Sequence, residues 1–312
     1  MSAYTKMLPH LENGCYDYDF WNVMRGKTHN ENLIGNGKET STGTYHMSTM
    51  SNNKYVTALQ KESIFRQLGT CINAYAHEYR IFAKEFKDVA EWVPEGEAVP
   101  INESTNDFNE KVIGSHKLAV FVKSNADFIH DATFNIEAYL TDRLAMNFGR
   151  AEEKAFITGT GKNMPTGILA DKDGADIGVT TKAITYDDVV KLHFSVKPEY
   201  RKHGVWMMND ETAQALRTLK DDGGNYIWNH TNDTIMGKRV VISEFMPSAE
   251  SGAKPIAFGD FRYYWVVTRR PLSVRCLTEQ FVTQDQVGHL AFEFLDGKLV
   301  RPEAIKVLQM TA

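Results

Sequence analysis

One amphipathic pattern runs without interruption from Asp127 to Thr158, and it limits the folds open to this chain. It predicts a helix of roughly thirty residues, about 45 Å long at a rise of 1.5 Å per residue. Few compact single domains need so long a helix. The pattern ends at a glycine-rich loop, 159–169. The apolar positions at helical spacing are Phe128, Ala132, Ile136, Tyr139, Leu140, Leu144, Phe148, Ala151 and Ala155.

The segment before this helix is predicted to be a projecting β-hairpin. Its arms are Lys84–Glu97 and Glu110–Lys123, and the tip between them, Ile101–Phe108, is polar and prone to turns. A hairpin that leads directly into a long helix is unusual for an enzyme. It suits a protein that builds an assembly by contacting its neighbours.

Composition excludes several classes of protein. The chain has 312 residues, is 42% hydrophobic and 24% charged, and carries a net charge of -5. These values are typical of a globular chain, and the charge argues against a dedicated nucleic-acid binder. The cysteines Cys15, Cys71 and Cys276 have no metal-ligand spacing and are interpreted as reduced thiols of a cytoplasmic product. We expect no signal peptide and no membrane span.

The first 55 residues are rich in Asn, Gly, Ser and Thr, with no sustained period. They cannot bury enough apolar area to fold alone, so they are predicted to be an arm that becomes ordered on a neighbouring subunit. Phe20, Trp21 and Tyr45 are the expected docking side chains. The alternative is a plain disordered tail. A short helix is predicted from Ala58 to a stop at Gly69.

After the glycine loop the pattern changes to alternating helices and strands. The chain is predicted to finish with a hairpin, whose strands at 289–295 and 304–309 are joined by a turn at Asp296-Gly297. The other predicted elements are helices at 185–196 and 210–220, and strands at 202–208, 240–242, 254–260 and 263–267.

No motif predicts catalysis, a cofactor or a metal. Gly159-Thr160-Gly161-Lys162 lacks the P-loop pattern and follows a helix, whereas a P-loop opens one. The histidines are dispersed, there is no Gly-x-Ser-x-Gly elbow, and the paired carboxylates are explained as helix caps. Arg239 and the pair Arg269-Arg270 are interpreted as solvated or interface residues rather than as nucleic-acid contacts.

The order of these segments resembles the major capsid proteins of tailed bacteriophages, whose fold is named after phage Hong Kong 97 (HK97). Each segment is a weak signal alone, and their common order makes the resemblance specific. The segments that carry the resemblance are Ser63-Ile64-Phe65-Arg66-Gln67-Leu68, Trp92-Val93-Pro94-Glu95-Gly96, Lys117–Ser124, Ala151–Gly159, Pro165–Leu169, Trp206–Thr212, Leu219–Tyr226, Met236–Val241 and Phe258-Gly259-Asp260-Phe261.

The resemblance implies an α+β, HK97-like layout and the function of a major capsid protein that self-assembles into an icosahedral shell around the phage double-stranded DNA. The implied parts are an N-terminal arm (1–70), a peripheral domain (71–84, 118–169 and 281–312) with a spine helix at 127–158, an extended loop (85–117) and an axial domain (170–280). Expected contacts between subunits, from the arm and the extended loop, are Phe20, Trp21, Tyr45, Trp92, Glu95, Phe108 and Lys111.

The expected partners are other copies of the chain, as hexamers and pentamers. A separate scaffolding protein, a portal, a decoration protein and DNA bound without sequence specificity are also implied. No membrane and no cofactor are expected. The protein would be made in the host cytoplasm and reside in the virion. Because no Asn follows Asn232, the Lys–Asn cross-link of the fold's prototype is not expected. The alternatives are an encapsulin-like compartment shell and a soluble α/β enzyme.

Overall fold

A computed structural model describes residues 14–27, 38–39, 43–74, 79–84, 108–131, 133–220, 223–226, 228–229 and 231–311. Its α-helices are α1 (Gly14–Met24), α2 (Thr49–Glu62), α3 (Ile64–Leu68), α4 (Ala126–His130), α5 (Ile136–Thr158), α6 (Tyr186–Ser195), α7 (Pro198–Arg201) and α8 (Asp210–Thr218). The strands are β1 (Lys38–Glu39), β2 (Thr44–His46), β3 (Thr70–Asn73), β4 (Tyr79–Lys84), β5 (Phe108–Ile113), β6 (His116–Asn125), β7 (Asp176–Thr181), β8 (Val205–Met208), β9 (Trp228–Asn229), β10 (Thr234–Ile235), β11 (Lys238–Ile242), β12 (Ile256–Gly259), β13 (Tyr264–Leu277), β14 (Gln286–Leu299) and β15 (Ile305–Met310).

A six-stranded sheet forms the first of two structural units. Its order is β1-β2-β13-β14-β6, and β3 also pairs with β13. The centre of the sheet is the antiparallel pair of β13 and β14, each 14 residues long. Val287 and Ala291 on β14 face one core cluster with Leu140 and Leu144 of α5. The alternation of apolar residues along β14 thus places one face of the sheet on the spine helix.

A seven-stranded mixed sheet forms the second unit, in the order β7-β15-β12-β8-β11-β10-β9. Its core includes Trp206 and Phe258, whose ring centroids are 4.2 Å apart. Helix α6 begins with a capping box between Thr185 and Asp188, as the sequence predicts. The helices near 185 and 210 and the strands β8, β11 and β12 confirm the local predictions.

Two strands lie in the sheet other than the one that the predicted domain boundaries assign to them. Strand β13, expected in the axial domain, lies in the six-stranded sheet, and β15, expected in the peripheral domain, lies between β7 and β12 in the other sheet. The predicted closing hairpin is therefore wrong. Strand β14 continues through Asp296-Gly297 because Gly297 packs against Tyr264 and Phe156, where a turn has no room.

The spine helix, α5, is shorter than predicted. It has 23 residues, so its length is about 35 Å at 1.5 Å per residue. The predicted helix breaks because Asp131 accepts hydrogen bonds from the backbone and hydroxyl of Thr133, and Asn135 then caps α5. Phe128, expected in the core, lies on the separate helix α4 and is 62% exposed.

The described residues of the predicted arm, 14–27 and 43–55, fold onto their own chain, which corrects the expectation that these residues order only on neighbours. Helices α1 and α2 pack in the same core cluster as the spine helix. The polar residues that made the segment look unstructured serve as caps and buried partners. Ser48 caps α2, Ser51 Oγ donates to Asp17 at 2.6 Å, and Trp21 Nε1 donates to Ser51 Oγ at 2.9 Å.

The projecting hairpin starts and ends earlier than predicted. Strand β4 pairs antiparallel with β5, from Tyr79 opposite Ile113 to Lys84 opposite Phe108. The second predicted arm is split at Gly114, and the residues after it form β6, an edge strand of the six-stranded sheet. Residues 85–107, which are most of the predicted loop 85–117 and nearly all of its predicted tip, lie outside the described residues.

Candidate subunit-contact surfaces

A buried clamp fixes the base of the projecting hairpin to the six-stranded sheet. Arg269, only 4% exposed, donates through Nε to Gly114 O at 3.0 Å and through Nη2 to Ile113 O. Asp296 Oδ2 accepts the backbone N–H of Gly114 at 2.8 Å. Ile113 itself is buried with Val267 in a small apolar cluster. The hairpin therefore leaves the body at a defined point. Arg269 is a clamp residue rather than the solvated or interface residue predicted.

The electrostatics of the clamp follow from its burial. Loss of solvent raises the pKa of Asp296, and the nearby His116, with Nε2 3.6 Å from Oδ1, acts in the opposite direction. Hydrogen bonds from the backbone N–H groups of Gly114 and Gly297 also favour the charged carboxylate. The Asp296 side chain thus joins β14 to the strand that leads out of the hairpin.

A second buried network joins the N-terminal helices to the sheet and the spine helix. Arg66 on α3 donates through Nε and Nη2 to the two oxygens of Glu152, at 2.7 and 2.6 Å. The same Nη2 donates to Glu293 Oε1 at 3.0 Å, and Tyr55 OH donates to Glu293 Oε2 at 2.9 Å. All four side chains are buried. Such a paired and hydrogen-bonded cluster fixes the relative positions of the elements that carry it.

The next residue of the spine helix faces the other sheet. Glu153 Oε1 accepts a hydrogen bond from the hydroxyl of Ser243, which directly follows β11 of the seven-stranded sheet. Burial raises the pKa of Glu153. Although both residues are charged, Glu152 is only 1% exposed and Glu153 only 6%. This end of the spine helix therefore contacts both units.

The outer face of the six-stranded sheet is basic and aromatic. The side chains of Lys117, Phe121 and Lys123 alternate along β6 on its exposed side. Three cations lie over aromatic rings at this sheet and the 3₁₀ turn beside it, at distances to the ring centroid that are typical of cation–π contacts. These pairs are Lys117 with Phe292 at 3.9 Å, Lys123 with Phe281 at 4.4 Å and Arg270 with Phe294 at 5.3 Å.

The predicted contact residues divide into three groups. Phe20, Trp21 and Tyr45 are buried in the chain's own core, so the expectation that they dock on neighbours is corrected, because their surfaces are already covered. Phe108 and Lys111 lie on β5, but their side chains fall outside the described part. Trp92 and Glu95 lie outside the described residues altogether.

The residues that sequence reasoning missed are Arg66, Arg269 and Glu293. A signal for Glu293 exists, because this carboxylate takes an inward position of the alternating strand between Ala291 and Leu295. A charge at such a position needs a buried partner, although the sequence does not identify the partner.

The described residues contain no group of three His, Cys, Asp or Glu side chains that could hold a metal ion. Within that same part of the chain, no helix is long and apolar enough to cross a membrane.

Comparison with known proteins agrees with this arrangement. The sequence pattern of the Phage capsid family matches residues 43–310. A capsid polyprotein of Pseudomonas phage PAJU2 is 26% identical over 178 residues, which are 52% of this chain and 25% of that protein. The chain thus spans about a quarter of the length of that curated relative.

Solved structures give the same result. A capsid chain of an empty GTA particle superposes with a TM-score of 0.68 and 30% identity, over 80% of this chain and 90% of that chain. The capsid of the native GTA particle gives a TM-score of 0.63 and 31% identity, over 82% and 91% of the two chains. A chain of Gordonia phage Cozz shares the fold at 13% identity, with a TM-score of 0.54 over 80% and 87% of the two chains. The chain therefore belongs to the phage capsid family, as a capsid shell protein with the HK97-like fold and not an enzyme.

Proposed function

We propose that this shell protein assembles as hexameric and pentameric rings that close into an icosahedral capsid around double-stranded DNA. The observation that carries the proposal is the clamped hairpin. A long loop held rigidly at its base by Arg269 and Asp296 can bury its area on a neighbouring subunit at a low cost in entropy. Contacts of this kind between unlike surfaces close into rings when the rotation between subunits permits it.

Charge supports the loop as the contact element. Residues 85–107 hold seven Asp and Glu side chains and one Lys, whereas the whole chain has a net charge of -5. The rest of the chain is therefore close to neutral, and the acidity is concentrated in the loop. The outer sheet face with Lys117, Lys123 and Arg270 is the complementary surface on a second subunit.

The proposed contact residues on the loop remain Trp92, Glu95, Phe108 and Lys111. Helices α1 and α2 belong to the body of the subunit, so we assign ring contacts to the loop and the sheet face, and not to Phe20, Trp21 or Tyr45. A separate scaffolding protein, a portal and a decoration protein are further proposed partners. The virion is the location of the finished protein, and we propose synthesis in the cytoplasm of the bacterial host.

Electron microscopy of the purified protein, together with sedimentation, tests this function. We expect closed particles with fivefold vertices, and nuclease-resistant double-stranded DNA in particles recovered from an infected or induced host. A protein that stays monomeric or dimeric under every assembly condition would contradict shell formation. Closed particles that hold a protein cargo and no DNA would indicate the encapsulin-like alternative.

A further inference from the structure

The buried network around Arg66 contains more acid than base. One guanidinium faces two carboxylates, and its Nη2 atom touches both of them, at 2.6 Å for Glu152 and 3.0 Å for Glu293. All three side chains are almost completely inaccessible to solvent. With both carboxylates charged, the cluster carries an uncompensated negative charge in a place where desolvation is expensive.

The other groups around the cluster do not supply the missing positive charge. Tyr55 on α2 donates its hydroxyl to Glu293, and its own pKa is raised well above the usual value, mainly by burial. The thiol of Cys71 on β3 lies next to Arg66, and the phenol of Tyr264 on β13 lies near Glu152. Neither adds a cation, so the pair of carboxylates can reach neutrality with Arg66 only by binding a proton from solvent.

The position of the cluster gives this proton a mechanical consequence. Tyr55 and Arg66 lie on α2 and α3, whereas Glu152 lies on the spine helix and Glu293 on β14. The two contacts to Glu293 therefore attach the N-terminal helices to the sheet. Arg66 must divide its donors between two charged acceptors when the proton is absent, but it pairs with one carboxylate and one neutral acid when the proton is present.

We propose that Glu152 and Glu293 form a buried proton-binding site, and that release of its proton loosens the attachment of α2 and α3 to the spine helix and β14. The proton is exchanged with solvent, and no other bond changes. The proposal does not depend on shell formation, because every group belongs to one subunit.

The pH range of this effect follows from the raised pKa of Glu293. Burial, and then the charge of Glu152, raise the pKa of Glu293 from 4.5 to about 7. The folded state thus keeps a proton that an opened segment releases. Stability from this site is complete below about pH 4.5 and is lost as the pH rises through 7. Opening of the segment should increase by up to about tenfold per pH unit between pH 5 and 7, and then level off.

Hydrogen–deuterium exchange of the full chain tests the proposal, with exchange corrected for the intrinsic pH dependence of amides and the assembly state held constant. In the wild type, the exchange rate of peptides from residues 49–68 should increase by up to about tenfold per pH unit between pH 5 and 7. In Glu293→Gln, which keeps the shape but cannot titrate, the opening should be flat. Glu62→Gln, an exposed carboxylate on the same α2, should behave as the wild type. A flat wild-type profile, or a slope retained in Glu293→Gln, would overturn the proposal.

Infrared titration of wild-type protein keeps the test independent of whether the variant folds. With isotope-labelled glutamate, a protonated carboxylic acid signal should persist at pH values above those of the exposed glutamates and disappear near pH 7. The same signal should remain in Glu153→Gln, which removes another buried glutamate with a raised pKa. Titration of all glutamates together near their ordinary pKa would refute a buried proton.

Discussion

Glu152 and Glu153 are consecutive residues of the spine helix, yet they bind different units of the subunit. Glu152 accepts two hydrogen bonds from the Arg66 guanidinium, whereas Glu153 accepts one from the hydroxyl of Ser243, beside the seven-stranded sheet. The two carboxylates tie one helix end to the N-terminal helices and to both sheets. Phe156, in the same turn, adds an apolar contact to Phe65 of α3, whereas Lys154 is exposed.

Removal of Glu152 should destabilise the subunit far more than removal of a neighbouring charge. Glu152→Ala removes the acceptor of two buried hydrogen bonds from Arg66, whose charge Glu293 still balances, so we expect a loss of about 1–3 kcal/mol in the free energy of unfolding. Chemical denaturation of unassembled protein measures it. Lys154→Ala on the same turn is the control and should change stability by less than about 0.5 kcal/mol. Equal effects of the two substitutions would contradict the network.

The burial of Phe20 predicts a defect in the isolated subunit. Phe20 is 0% exposed, and its truncation to Ala should cost about 3–5 kcal/mol, because a large cavity opens beneath α1. Tyr18 on the same helix is 69% exposed, so Tyr18→Ala is the matched control and should be almost neutral. If Phe20 docked on a neighbour, Phe20→Ala would leave the unfolding of unassembled protein unchanged and weaken only the shells.

Gly297 should not tolerate a side chain. A Cβ atom there would lie 2.6 Å from the Tyr264 hydroxyl and 2.7 Å from the Phe156 ring, inside a packed core. Gly297→Ala should therefore destabilise the protein by about 1–3 kcal/mol, as measured by denaturant or thermal unfolding. Gly14→Ala adds the same methyl group in open space and should be close to neutral. A neutral Gly297→Ala would show that β14 can shift away from the spine helix.

Reversal of charge on the outer sheet face should weaken assembly without unfolding the subunit. The double variant Lys117→Glu with Lys123→Glu should assemble less well at moderate salt, as followed by light scattering. The double loop variant Glu95→Lys with Glu97→Lys, combined with it, should restore assembly in part. Exposed pairs contribute about 0.2–1 kcal/mol each, and the effect should shrink at high salt.

A pair of lysines elsewhere provides the control for that experiment. Lys162→Glu with Lys172→Glu makes the same change in net charge at two other exposed positions. If this control reduced assembly as much as the reversal on the sheet face, the effect would come from total charge and not from docking of the loop.

Shells should not be cross-linked through Lys and Asn. No Asn follows Asn232, so the usual acceptor is missing from the closing segment. Boiled capsids should migrate on a denaturing gel at the single-chain mass of 35.3 kDa. A ladder of covalent rings would mean that another acceptor is used, for example Gln280 or an Asn elsewhere.

Local patterns predicted local elements well. Strands β8 and β12, helix α6 with its capping box and the stop of the spine helix at Gly159 all depend on neighbouring residues, and the structure has them where the sequence places them. Contacts between distant residues could not be read in this way. The alternation of β15 indicates a strand, but nothing in it indicates which sheet accepts that strand.

The prediction for the N-terminal region was wrong for a different reason. Ser48, Ser51 and Asp17 are residue types typical of loops, and only the fold brings them together as a cap and its buried partners. The same holds for Glu152 and Glu293, which are distant along the chain and meet at Arg66. A charged residue in an apolar pattern indicates that a buried partner is needed but does not identify that partner.

The exchange of strands between the sheets also sets an order of events during synthesis. Strand β15 lies between β7 and β12, so β7 has no ladder partner in this sheet until residues 305–310 have left the ribosome. By then β13 and β14 of the other sheet have already been made. Although domains generally fold in order of synthesis, neither unit here can be finished much before the other. A partly synthesised subunit therefore has no completed seven-stranded sheet to present to a partner until residues 305–310 have paired with both β7 and β12.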